Sequence, residues 1–186
     1  MTTEDSEHLT ARLRFIANTS ISASSLRNQG GEGVVAKARC FMGELDLAEA
    51  GAAGAEGYPA YLDDCTAKLM AYFPDKAREN YGAARKALNI YLFACTRDHV
   101  ARSRYSLDRI EPALELPIDK DAITYLKCKT QCEASRSALR GFDSIKGLCR
   151  KKHATIQAIA SEVAEGKGVL RCELDFCAWR PSKKPI

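Results

Sequence analysis

The sequence predicts a mostly α fold, with two helical lobes around a cleft and one short C-terminal β-strand. Three observations carry that expectation. Apolar residues Ala84, Ala87, Leu88, Tyr91, Leu92 and Cys95 recur at i, i+3, i+4, i+7, i+8 and i+11, the spacing of one buried helix face. Glycine, proline and aspartate break the chain into further segments of helical length. Only the stretch from Leu170 to Ala178 alternates apolar and polar residues in the period of a strand. At 186 residues and 46% apolar content, the chain can bury a core as a single compact unit. A middle lobe is expected over 58–120, with 1–50 and 121–186 forming the second lobe.

Taken in order, residues 5–27 read as a helix ending in the glycine-rich stretch Arg27-Asn28-Gln29-Gly30-Gly31-Glu32-Gly33. A second helix runs from about Val34 to Leu47, and Ala48 to Gly57 reads as a small-residue linker. Another helix follows Pro59 to about Tyr72. Pro74 breaks it, and Asp75 can cap a short helix through Glu79. Gly82 opens the central helix, which also carries Lys86, Ile90, Phe93 and Arg97 on a second stripe. A short segment, Leu107 to Leu114, precedes Pro117-Ile118-Asp119, where Asp119 is the candidate N-cap of the next helix. Helices are expected to continue to about Arg140, from about Ser144 to Lys151, and through Val163 until Gly166 and Gly168. The tail from Arg180 to Ile186 reads as frayed.

The formal charge of +4 is mild but unevenly spread. Arg97, Arg102, Arg104 and Arg109 crowd one connector, and Lys146, Arg150, Lys151 and Lys152 another, which suits a polyanion. The polar start from Met1 to His8 has no signal-peptide pattern, and no apolar run nears the roughly 20 residues that span a bilayer. A soluble, cytoplasmic protein without membrane association is the expectation. The eight cysteines are expected as free thiols, with Cys65, Cys95 and Cys149 on or near apolar helical positions. Cys128/Cys132 and Cys172/Cys177 fit neither a zinc pair nor an iron–sulfur loop, and His8, His99 and His153 are scattered, so neither metal nor cofactor is expected. Walker, GxSxG and HExxH motifs are absent from the sequence.

Two residues stand out chemically. An aspartate at a helix N-terminus, such as Asp119, holds a fixed negative charge suited to stabilising a developing oxocarbenium ion. Taken alone, such a residue is a structural cap. Lys86 is a candidate nucleophile, because burial beside Ile90 and Phe93 with Arg85 adjacent would favour the neutral amine that attacks carbon. Taken alone, it is an ordinary helical lysine. The turn Asn80-Tyr81-Gly82-Ala83-Ala84 could offer backbone N–H groups to a phosphate, or simply join two helices. The Arg27 to Gly33 loop could read a base edge or be a plain surface loop.

These residues together resemble the helix-hairpin-helix superfamily of DNA glycosylases. Gly82-Ala-Ala-Arg-Lys86 matches the first glycine and the lysine of that family's GxGxK hairpin, and Leu116-Pro117-Ile118-Asp119 matches its [LV]P[IV]D turn. The second hairpin glycine is replaced by Ala84, and the 33-residue gap from Lys86 to Asp119 is similar to that of the archaeal 8-oxoguanine glycosylase branch. The architecture also resembles the Brig-type phage-defence glycosylases, which remove glucosylated 5-hydroxymethylcytosine.

The resemblance implies a monomeric enzyme of antiviral defence or base excision, acting on double-stranded DNA with a modified base. The nucleotide would be flipped into the cleft, Asp119 would stabilise the cationic sugar, and water or Lys86 would attack C1′. An abasic site results in the first case, and AP-lyase chemistry in the second. Arg85, Arg97, Arg102, Arg104 and Lys120 are the expected phosphate contacts, with Arg27, Asn28 and Gln29 as base or gap contacts. A non-catalytic DNA-binding or partner-binding helical protein is the rival expectation.

Overall fold

The computed structural model describes residues 3–178, with side chains from residue 7 onward. It is mostly helical, and the described residues contain no strand. In chain order the helices are α1 (Thr3–Ser20), α2 (Val34–Gly43), α3 (Leu47–Tyr72), α4 (Tyr81–Arg97), α5 (His99–Arg104), α6 (Lys120–Lys129), α7 (Glu133–Arg140), α8 (Arg150–Glu165) and α9 (Leu174–Ala178). Single-turn or short 3-10 segments lie at Asp75–Ala77, Leu107–Ala113 and Arg171–Glu173. The tail 180–186 falls outside the described residues.

Several boundaries differ from expectation, each for a local reason. The first helix stops at Ser20, because the Ser22 and Ser25 amides each donate to the other's hydroxyl, bonds that compete with the helical ladder. The second ends at Gly43, and Asp46 starts a new helix by accepting hydrogen bonds from the Ala48 and Glu49 amides at 2.8 and 3.4 Å. The expected linker of residues 48–57 is therefore helical: its alanines are strong helix formers, and non-helical backbone at Gly54 marks a kink inside α3. Asp75 opens only one 3-10 turn. Residues 144–149 form a turn before α8, with the Ser144 hydroxyl accepting from the Gly147 amide at 3.2 Å.

The predicted C-terminal strand is replaced by a 3-10 turn and α9. The Glu173 carboxylate reaches back to accept from the Leu170 amide at 3.1 Å, which starts a helical turn. Leu170, Leu174 and Ala178 are also four residues apart, so the alternation satisfies a helix as well as a strand. Leu174 and Ala178 are buried, whereas Phe176 is 63% exposed, as a helix would leave it.

Two buried clusters organise the molecule. The first joins Leu13 through Leu114, together with Cys172, from α1 to the 3-10 segment after α5. The second joins Leu116 through Leu174, from the connector before α6 to α9. Apart from Cys172, the first cluster's residues run up to Leu114 and the second's begin at Leu116, and α1 packs on α2 and α4 within the first. All six apolar positions picked out on α4 are fully buried in that first cluster. Its N-terminus presses on the turn before α8: a Cβ at Gly82 would run into the Ile145 carbonyl oxygen.

Candidate functional site

Asp119 is the N-cap of α6, in extended backbone at φ −147°. One carboxylate oxygen, Oδ1, accepts from the Asp121 and Ala122 amides at 3.0 and 2.9 Å. The other, Oδ2, accepts from Lys86 Nζ at 3.0 Å. The lysine comes from the second turn of α4, and its side chain is 8% exposed against 29% for Asp119. The two residues singled out as chemically active are therefore in direct contact across 33 residues of chain, with the aspartate on the open side.

A third carboxyl, which the sequence did not reveal, stands by. Asp175 on α9 is half-buried, and burial first, then the charge of Asp119, push its carboxyl above the usual range against the pull of Lys86. Its signal was masked because residues 170–178 read as a strand. The next residue of α9, Phe176, packs its ring at a tilt against Phe93 of α4, 5.4 Å between centroids.

Arg85 does not present itself to a phosphate. It is buried, and its guanidinium makes a two-pronged contact with Glu115, Nε to Oε2 and Nη2 to Oε1, both at 2.8 Å. Its remaining nitrogen contact goes to Asp63 at 2.7 Å and Thr66 at 3.1 Å. Its sequence position next to Lys86 placed it on the helix but could not show which way it faced. Burial works against the charge of Glu115, yet Arg85 and Asn89 hold its carboxyl below the usual range. Burial pushes the neighbouring His153 down to about 4, so it is neutral at pH 7.

The other expected contacts divide into two places. Arg97 and Arg102 are part-exposed but already paired with Glu111, at 3.5 and 2.7 Å, and Arg97 also reaches Glu173 at 3.2 Å. Arg104 is exposed at the end of α5. Lys120, by contrast, shares a groove of about 830 Å³ with Arg27, Asn28 and Gln29. Lys127 and Lys146 add two cations to its wall, Asp143 one anion, and Ile123, Phe142 and Ile145 an apolar lining. The loop side of the groove is built firmly: Asn28 sits in left-handed backbone at φ 61°, and the Gln29 carbonyl accepts from the Asn80 side-chain Nδ2 at 2.8 Å. Gln29 itself is buried, with its amide nitrogen donating to the Arg27 carbonyl.

The turn at Asn80 to Ala84 is closed to a phosphate. The Asn80 side chain caps the Ala83 amide at 3.0 Å, and Gly82 to Ala84 are buried. All eight cysteines are free thiols. Cys149, expected near an apolar face, is instead exposed as the N-cap of α8. Among the described residues, no three His, Cys, Asp or Glu side chains gather as a metal site. No helix there is long and apolar enough to cross a membrane. Compared with models of protein families, curated proteins and solved structures, the chain matches none.

Proposed function

We propose that the protein is a DNA glycosylase that excises a modified base from duplex DNA, with Asp119 and Lys86 as its reacting pair. The observation that supports this most is the 3.0 Å contact between Lys86 Nζ and Asp119 Oδ2, because the motif resemblance assigns chemistry to those two residues independently of their distance. The groove beside Lys120 supplies a cationic wall and an apolar lining suited to a nucleotide and its flanking phosphates. In this reading the two buried clusters are the two lobes, and the groove, whose wall includes Lys120 next to Asp119 in sequence, holds the phosphates that flank the extruded nucleotide.

The proposed reaction runs at C1′ of an extruded nucleotide. The C1′–N bond breaks with its electron pair leaving on the base, which takes a proton from solvent. The cationic sugar is countered by the Asp119 carboxylate, held in place by two α6 amides. Water attacking C1′ passes its proton to Asp119 and leaves an abasic site. Alternatively Lys86, once its proton has moved to Asp119 Oδ2, attacks C1′; ring opening then gives a Schiff base, and β-elimination cuts the strand.

The test is purified protein on duplexes carrying unmodified, oxidised, deaminated or glucosylated hydroxymethylated bases, read with alkali and with borohydride. Alkali-dependent breaks in one substrate are the expected result, and a borohydride-trapped adduct lost in Lys86→Ala adds the lyase step. Binding without excision across the panel would replace this reading with a non-catalytic DNA-binding protein.

A further inference from the structure

Arg85 and Lys86 are consecutive on α4, and Glu115 and Asp119 are the two carboxylates at the ends of one short connector. Each basic residue holds one of them: Arg85 grips Glu115 through two nitrogens at 2.8 Å, and Lys86 meets Asp119 at 3.0 Å. The connector between has no regular secondary structure and is buried, with Leu116, Pro117 and Ile118 all inside. It is held from both cores. Asn89 of α4 donates to Glu115 at 3.0 Å, and Gln157 of α8 brackets Leu116, accepting from its amide at 3.2 Å and donating to its carbonyl at 2.7 Å.

The geometry points to Arg85 and Glu115 as positioning residues that set the register at which Asp119 meets Lys86. A buried ion pair is a poor source of stability, since an apolar pair of similar volume often does as well or better. What it supplies is direction: a planar guanidinium fork fixes a carboxylate in distance and in plane, which an aliphatic contact does not. Two residues further on Pro117 restricts the backbone, and four residues further on Asp119 emerges at the α6 N-terminus. Free movement of Glu115 would let the Asp119 turn slide along α4. The chemical consequence of this role rests on the glycosylase reading above, whereas the geometric role does not.

The experiment separates the two. The interaction between Lys86 and Asp119 is measured by a double-mutant cycle in urea unfolding, using Lys86→Ala and Asp119→Ala. The cycle is run in the native chain and again in a chain carrying Arg85→Met with Glu115→Leu, which leaves no buried unpaired charge. The expected result is a favourable coupling in the native chain that vanishes in the second background. Equal coupling in both, or none in the native chain, overturns the proposal. Should the double replacement not fold, Arg85→Lys carries the same cycle: it keeps the charge and loses the fork, so retained coupling there also overturns it. On any duplex that the native chain excises, the positioning variants are expected to cut single-turnover excision about 100-fold with duplex Kd changed less than about threefold. A native chain that excises nothing removes the glycosylase reading and leaves the coupling result to decide positioning.

Discussion

Asp119 divides its two oxygens between the helix it caps and the lysine it faces, so one side chain fixes both the start of α6 and the orientation of Lys86. The cap was legible from Pro117-Ile118-Asp119 ahead of an apolar-periodic run, because capping is a local signal. The lysine partnership was not, because nothing in local spacing fixes a contact between residues 33 apart. Asp175 illustrates the same limit and gives a prediction. A carboxyl held above its unfolded-state value contributes stability below the ordinary value of about 4, and that contribution is lost as pH rises through the folded value. Asp175→Asn should therefore raise Tm at about pH 7 and leave it unchanged at about pH 3. Thermal unfolding at the two pH values reads this directly, and a lower Tm at neutral pH would mean that the ionised form is the favoured one.

Among the elements, α4 was the best legible, since six apolar positions in helical register marked a face that is fully buried. The segment after Gly168 was the worst, since residues spaced by two are also spaced by four, and only the Glu173 contact to the Leu170 amide decides for a helix. The connector before α6 lies between these cases: its motif was readable, but not the side chains from α8 that hold it. One of these, His153, lies 3.4 Å from Glu115 and is 3% exposed. Its value is lowered from 6.5 to about 4, so stability fully present above the unfolded value is lost as pH falls through the folded one. A loss of about 3 kcal/mol is expected on the way down. The part lost above about pH 4.5 should disappear in His153→Gln, while the part due to Glu115, whose ordinary value is 4.5, remains below it. Urea unfolding across that range checks the split; an unchanged slope in the variant would place the titration elsewhere.

At the scale of the whole molecule, the two clusters meet at Glu115, and the connector from there to Asp119 carries the candidate chemistry at their seam. The mostly helical character was legible from pattern and punctuation, because both are local. The packing of particular helices was not, because it depends on which buried faces find each other, as where α1 meets α2 and α4. The same holds for charge. Clustering in sequence picked out Arg97 and Arg102, which the fold pairs with Glu111, whereas the groove draws Arg27, Lys120, Lys127 and Lys146 from separate segments. On the proposed glycosylase reading this cationic wall would hold DNA whether or not Asp119 reacts, so binding and chemistry are separable.

The most direct measurement is therefore single-turnover base release by the native chain and by Asp119→Asn, each on the modified duplex that the native chain cuts and with Kd measured alongside. Asparagine keeps a capping oxygen for α6 and removes the negative charge. The account predicts unchanged Kd and loss of excision by at least about 100-fold; an excision rate in Asp119→Asn equal to that of the native chain would contradict it.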